Sequence, residues 1–112
     1  MATLDECTSA VEDLASRLAL VDPEIMRRHA VDRSITCHIN DLGVDYSAEL
    51  EGGRLTEVRL EPNPRAQVKV RVSSDDLVAL SRGEMHAGHA WATGRLRVSA
   101  PLRDLLRLRS FI

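Results

Sequence analysis

Residues 68–108 decide the fold of this 112-residue chain, and they read VKVRVSSDDLVALSRGEMHAGHAWATGRLRVSAPLRDLLRL. An alternating valine strand is followed by the serine pair at Ser73, which suits the N-cap of a helix. A short second helix that holds Trp91 comes after this capped helix. A strand led by Gly94 follows, and Pro101 opens a closing amphipathic helix. This order predicts a sheet whose helices pack on one face.

Upstream, apolar and polar residues alternate in three further runs. The residues predicted to face inward are Ile35, Cys37 and Ile39, then Val44, Tyr46, Ala48 and Leu50, then Val58 and Leu60. Period-two alternation is typical of a largely antiparallel sheet with one wet face and one covered face. The glycines at Gly43 and Gly52 indicate tight hairpin turns between these runs.

The N-terminal segment predicts an amphipathic helix. Its apolar stripe at spacings of three and four consists of Leu4, Cys7, Val11, Leu14, Leu18 and Val21. Asp22-Pro23 ends that helix and begins a short second one around Ile25. In sum, the sequence predicts one two-layer α+β domain over residues 1–112, with five strands and helices covering one face of the sheet.

Composition and charge exclude several classes of protein. Aromatic residues are only 3% of the chain, so the core must be aliphatic, and the formal net charge of −2 argues against nucleic acid as a partner. The two cysteines do not form a disulfide framework, which predicts a reduced, cytoplasmic protein. No signal peptide or membrane-spanning apolar run is expected.

The element order over nearly the full chain resembles the sterol carrier protein 2 family. Members typically have a valine-rich strand, a polar cap with a Leu-rich helix ending in Gly, a short helix, a Gly-basic-apolar-basic-apolar strand and a final Leu-rich helix. The matching segments are 68–72, 74–83, 87–91, 94–98 and 102–108. The family commonly places Gly-Asp after the last strand, where this chain has Ala100-Pro101, so the entry to the closing helix is expected to differ.

The resemblance implies a non-catalytic protein that binds or carries an apolar small molecule. Family members hold sterols, fatty acids or acyl-CoA esters in a tunnel between sheet and helices, without a cofactor. The inward positions predicted to line such a cavity are Ile35, Cys37, Tyr46, Val68, Val70, Leu77, Leu80, Trp91 and Leu105. Burial of ligand surface would supply the affinity.

Two alternatives remain open at this point. The domain can have a closed core and serve as an accessory or protein-interaction module. It would then form a homodimer or bind a partner enzyme. It can also be a small enzyme that isomerises or cyclises an apolar substrate, for which Tyr46 and Cys37 are the only candidate titratable groups. Trp91 is either a core anchor or a pocket wall, and the Tyr46 hydroxyl needs either a backbone carbonyl or a ligand head group as its partner.

Two surface features complete the predictions. His86 and His89 are three residues apart, but without a matching third ligand they predict surface histidines rather than a metal site. The closing helix places Arg103 and Arg107 opposite its leucines. Such a helix favours covering the sheet, with a weak contact to anionic lipid as the functional alternative.

Overall fold

The computed structural model describes residues 1–18, 32–52 and 54–101 of the chain. Within these ranges the elements are α1 Leu4–Leu18, β1 Arg33–Ile39, β2 Val44–Glu51, β3 Arg54–Arg59, β4 Val68–Val72, α2 Ser74–Ser81, α3 Ala87–Ala92 and β5 Arg97–Ser99. The strands form one sheet in the order β3-β2-β1-β4-β5. Its β1–β4 pairing is parallel and its other pairings are antiparallel. The predicted five-stranded, largely antiparallel α+β fold is confirmed.

The register keeps the apolar residues of four strands on one face. Cys37 lies opposite Tyr46 on β2 and opposite Val70 on β4, and Val70 lies opposite Val98 on β5. Since side chains alternate between faces along a strand, the neighbouring residues of each strand belong to the other face. The predicted alternation of β1, β2, β4 and β5 is therefore confirmed.

The edge strand β3 departs from its prediction. Val58 and Leu60 were expected to face inward, but they are 37% and 50% exposed. The β2–β3 register shifts between Ser47 and Glu49, and Glu57 has a φ of 52°, which marks a β-bulge. The bulge distorts this edge strand, and the prediction that these two residues are covered by the core is wrong.

The closed part of the core lies at one end of the apolar face. Ile39 and Val72, which are opposite each other on β1 and β4, are almost fully buried. The helix residues of this core cluster are Cys7 and Ala10 of α1 and Leu77 and Val78 of α2. Of the predicted stripe, Cys7 belongs to this core, Val11 and Leu14 pack against it, and Leu4 is 39% exposed, while the Leu18 side chain and Val21 lie outside the described part.

Helix α2 begins with a set of capping hydrogen bonds. Ser73 is the N-cap, as the sequence predicts, and its hydroxyl accepts a hydrogen bond from the Asp76 amide at 3.2 Å. Asp41, in the β1–β2 loop, accepts hydrogen bonds from the Ser74 amide at 2.8 Å and from the Ser74 hydroxyl. The Ser74 oxygen in turn accepts from the Ala2 amide at 3.0 Å. Ser74 therefore joins three separate segments of the chain.

The polar face of the sheet is not left entirely to solvent. Ser47 donates from its hydroxyl to the Glu61 carbonyl at 2.6 Å, and both Ser47 and Thr36 are buried. Ser34 and Gln67 exchange two hydrogen bonds between main chain and side chain. Since these partners lie on either side of residues 62–66, the β3–β4 connection crosses this face beside β1 and β2.

Two predicted elements belong to parts of the chain that the structure does not describe. The short helix after Pro23 and the closing helix from Leu102, including the contact proposed for Arg103 and Arg107, lie outside the described residues. No helix within the described ranges is long and apolar enough to cross a bilayer.

Candidate functional site

The sheet contributes five of the predicted lining residues to a single face. Ile35 lies opposite Val68, and Cys37 lies opposite both Tyr46 and Val70. The β-register alone fixes their common side, because successive residues point to opposite faces. Five separate positions of the sequence pattern are thus brought together on the face that the helices cover.

Coverage of this face changes along the strands. The row that contains Ile39 and Val72 is sealed by the helices. The next row begins with the buried Tyr46 on β2 and continues through Cys37, Val70 and Val98, which are only half-buried and are here called the open row. An apolar row that packing leaves partly uncovered is a surface on which an apolar ligand gains affinity by excluding water.

Cys37 shows the environment of the open row most clearly. Its side chain is partly accessible, yet burial, followed by the negative charge of Asp45, raises the pKa of the thiol to about 12. A group that is partly accessible yet strongly desolvated fits the wall of a recess. At neutral pH this thiol is protonated, so it lacks the thiolate form that acts as a nucleophile.

Tyr46 lies beside Cys37 in the same row and contacts α1. Its hydroxyl is 2.6 Å from the Thr8 hydroxyl and donates a longer, 3.4 Å hydrogen bond to the Leu4 carbonyl. Burial raises the pKa of Tyr46, and the hydrogen bond to Thr8 only partly offsets that rise. The two partners on α1 satisfy the phenol, so the backbone-carbonyl alternative describes it better than a ligand head group does.

The predicted lining residues on the helices, like those on the sheet, include both buried and half-buried side chains. On α2, Leu77 is buried in the core cluster, whereas Leu80 is half-buried at its margin. Trp91, on α3, is also half-buried. Leu105 lies outside the described residues. The assignment of these side chains to a ligand cavity stays a prediction, and their partial exposure fits the role of pocket wall better than that of core anchor for Trp91.

The histidine pair has a structural use. His86 is the N-cap of α3, and its Nδ1 accepts a hydrogen bond from the Gly88 amide at 3.1 Å. His89 lies within the same short helix and is exposed. A search of the described residues finds no group of three or more His, Cys, Asp or Glu side chains that could hold a metal ion.

A second concavity, of about 300 Å³, lies between α1 and α2. Its charged lining includes Asp5, Glu6 and Asp13 from α1 and Arg82 at the end of α2. Sequence patterning did not single it out, because it depends on the packing of two helices rather than on one motif. Ala10 and Val78 add an apolar floor to these charged walls.

The fold of this chain has counterparts among solved structures. No protein-family model matches the chain, and no curated relative does. Solved structures do match it. The sterol carrier protein 2-like 2 protein of Aedes aegypti superposes with a TM-score of 0.69 at 18% identity, over 96% of this chain and 96% of that one. Sterol carrier protein 2 from the same mosquito, solved in complex with palmitate, gives a TM-score of 0.64 at 19% identity and covers 99% and 96% of the two chains.

A different kind of protein contains a similar unit. A sec-alkylsulfatase from Pseudomonas sp. matches with a TM-score of 0.60 and 26% identity over 82% of this chain. The match covers 14% of the sulfatase, so the chain spans about a seventh of that enzyme's length. The two mosquito carriers, by contrast, match over nearly their entire lengths. The chain therefore has the sterol carrier protein 2-like fold.

Proposed function

We propose that this protein binds and carries an apolar small molecule of the fatty acyl or sterol class, without catalysing a reaction on it. The ligand lies against the open row of Cys37, Val70 and Val98, between the sheet and the helices. The observation that carries the proposal is the half-buried state of this row beside a sealed core. A purely structural sheet of this size would cover such residues as completely as it covers Ile39 and Val72.

The structural neighbours support the ligand class. Two of the Aedes aegypti structures of this fold contain or carry palmitate. Palmitate is a long chain of methylene groups, and each buried methylene contributes about 0.8 kcal/mol to binding. An aliphatic surface with one indole at its margin is suited to that kind of ligand.

The titratable groups near the recess support a binding role over a catalytic one. The pKa values of both Cys37 and Tyr46 are raised by burial, so both side chains are neutral near pH 7. Neither offers the base or nucleophile that isomerisation or cyclisation needs. Both cysteines are free thiols, which suits the reducing conditions of the cytoplasm, where we place the protein.

Binding is tested by native mass spectrometry and calorimetry with palmitate, a palmitoyl-CoA ester and cholesterol. We expect a one-to-one complex with at least one of them. Val70→Phe places a large ring in the open row and should abolish binding while the protein stays folded. Val58→Phe makes the same change at an exposed position of β3 and should leave affinity unchanged. Absence of binding to all three ligands, or equal binding by both variants, contradicts the proposal.

A second candidate function is that of an accessory domain in a larger enzyme. The sulfatase match favours it, because a similar unit there forms a small part of a longer chain. This candidate has a closed core, so it predicts that the isolated protein binds none of the three ligands and that Val70→Phe lowers the free energy of unfolding by about 1–3 kcal/mol through overpacking. The same experiments therefore separate the two functions.

A further inference from the structure

The polar face of the sheet carries its charges unevenly. One row across it runs from Asp45 on β2 through His38 on β1 and Arg71 on β4 to Arg97 on β5. His38 and Asp45 are joined at 3.0 Å. Beyond that pair, the β4–β5 edge is cationic, with Lys69 one row further along β4.

We define the basic strip as Lys69, Arg71, Arg95 and Arg97, all of which are exposed. None of these side chains has an ion pair or a hydrogen bond within the part of the chain that the structure describes. Arg71 and Arg97 are directly opposite each other in the β4–β5 ladder. Like charges at such a position are destabilising, so the strip has a cost to the fold that local packing does not offset.

The opposite edge of the same face is arranged differently. Arg59 on β3 contacts Glu61 at 2.6 Å and approaches Glu49 at 4.0 Å. Arg59 is therefore neutralised by neighbouring carboxylates, whereas the cations at the β4–β5 edge have no carboxylate partner among the described residues. Among the described residues of this face, the β4–β5 edge therefore presents cations without an acidic partner to the outside.

From this contrast we infer that the basic strip is a docking surface for the phosphate groups of an anionic lipid bilayer. This contact goes beyond the proposed function and does not depend on a ligand-filled recess. It also differs from the lipid contact predicted for the closing helix, because it uses other residues. Each exposed Lys or Arg near an anionic surface strengthens binding by about fivefold.

The chemistry of the strip favours a bilayer over other anionic partners. Lys69, Arg71 and Arg97 lie exposed on one sheet face, and the exposed Arg95 lies two residues before β5, so the strip suits a surface carrying many phosphates more than one small anion. The strip contains no aromatic side chain, which single-stranded nucleic acid would need for base stacking and a protein interface would need as an anchor. The acidic residues Asp5, Glu6, Glu12 and Asp13 lie on α1 in the helical layer, so an anionic bilayer would attract the sheet face and repel that layer.

Sedimentation of the purified protein with phosphatidylcholine vesicles, with and without one third phosphatidylglycerol, tests the inference. At about 0.01 M salt, where the Debye length is about 30 Å, we expect binding only to the anionic vesicles. At about 0.15 M salt, where that length is about 8 Å, binding should weaken severalfold. Arg71→Glu/Arg97→Glu should reduce the affinity by at least about 25-fold, which corresponds to about fivefold per arginine.

Two control variants make the result specific. Arg17→Glu/Arg54→Glu changes the net charge equally, but on α1 and on the far edge strand, and should alter binding less than threefold, a margin of about 0.6 kcal/mol. Arg71→Lys/Arg97→Lys keeps the charge and should retain binding. Circular dichroism shows that each variant is folded, and the salt dependence of the unaltered protein tests the inference even if one variant is not.

Several outcomes would overturn the inference. These are equal binding to neutral vesicles, equal loss in both charge-reversal variants, or retention of binding by Arg71→Glu/Arg97→Glu. Amide shifts of Arg71 and Arg97 on titration with inorganic phosphate, without vesicle binding, would assign the strip to a free anion instead. Tight binding to a DNA duplex without vesicle binding would assign it to nucleic acid. Because palmitate binding is measured separately, failure here leaves the proposed function standing.

Discussion

Ile35 and Ile39 lie on the same strand and on the same face of the sheet, yet their surroundings differ. Ile39 is 0% exposed and belongs to the core cluster, whereas Ile35 is half-buried. Both residues are isoleucines on the apolar face of β1, so the difference comes from how closely other parts of the chain pack over each of them. One apolar face thus combines a sealed row at Ile39 and Val72 with half-buried positions at Cys37, Val70 and Ile35.

The sealed end is also the end where separate segments are joined. The Asp41 loop follows Ile39 directly, Ser74 begins the helix that follows Val72, and the two are hydrogen-bonded. The Ala2 amide adds the segment before α1 to the same point. The helices fixed at this end pack on Ile39 and Val72, and within residues 1–18, 32–52 and 54–101 no comparable set of hydrogen bonds fixes them over the open row.

The largest expected effect is that of Ile39→Ala. Truncation of a fully buried isoleucine should lower the free energy of unfolding by about 2–5 kcal/mol, because it removes packed methyl groups and leaves a cavity. Ile35→Ala should cost less, about 1–2 kcal/mol, since part of its surface is already accessible, and it should weaken palmitate binding. Urea denaturation and native mass spectrometry measure the two quantities.

The variants Ile39→Ala and Ile35→Ala together test whether the two ends of the apolar face differ. If Ile35→Ala costs as much stability as Ile39→Ala and leaves ligand affinity unchanged, the face is uniformly packed and the recess has no functional meaning. If Ile39→Ala alone weakens binding, the ligand lies at the end we consider sealed. Equal slopes of unfolding free energy against urea are required before the values are compared.

The second expected effect concerns the joint at Ser74. Ser74→Ala removes the hydroxyl that donates to Asp41 and accepts from Ala2, and it should lower the free energy of unfolding by about 1–3 kcal/mol. Ser73→Ala, a neighbouring change that removes one cap bond, should cost about 1 kcal/mol. Thermal or urea denaturation of both variants checks the order, and a smaller loss for Ser74→Ala would contradict the role given to this joint.

The same joint has a pH dependence of known sign. Its hydrogen bonds hold the pKa of Asp41 below the ordinary value. A carboxyl whose pKa is lowered by folding stabilises the native state above its unfolded-state pKa. That stabilisation disappears as the pH falls through the lowered value, and it should be absent from Asp41→Asn.

A smaller effect is expected at the margin of the recess. Trp91→Ala should cost about 1–2 kcal/mol, since the indole is half-buried, and it should change palmitate affinity substantially. A loss of about 3–5 kcal/mol with unchanged affinity would instead identify a packed core anchor. Urea denaturation together with displacement of an apolar dye distinguishes these results.

The sequence alone predicted the faces of β1, β2, β4 and β5 because each strand is paired in regular register, where apolar alternation reports side-chain direction directly. It also predicted the helix that begins after Ser73 and the Gly83 position beyond its end, where φ is 73°. These are local properties. Neighbouring residues determine them, so a single sequence is sufficient.

The failures have a common physical origin in contacts between distant segments. The bulge at Glu57, which exposes Val58, shows no glycine signal. The link between Asp41 and Ser74 spans 33 positions, and the burial of Ser47 depends on Glu61 crossing the polar face. The division of the apolar face into a sealed row and an open row likewise depends on helix placement, which periodicity does not encode.

The smallest effect comes from Cys37 and follows from the desolvation of the open row. Burial raises the pKa of this thiol from 9.0 to about 12, so between these values the unfolded chain loses the proton that the folded chain keeps. Stability should therefore fall as the pH rises above about 9, by about 1.4 kcal/mol per pH unit, and Cys37→Ala should lack this loss. Urea denaturation at about pH 8 and about pH 10 measures the difference, with Cys7→Ala as the control for the other buried thiol, whose pKa is also raised. An unaltered protein whose stability is unchanged between these two pH values would mean that Cys37 is well hydrated, and the open row would then be ordinary solvent-exposed surface rather than the wall of a recess.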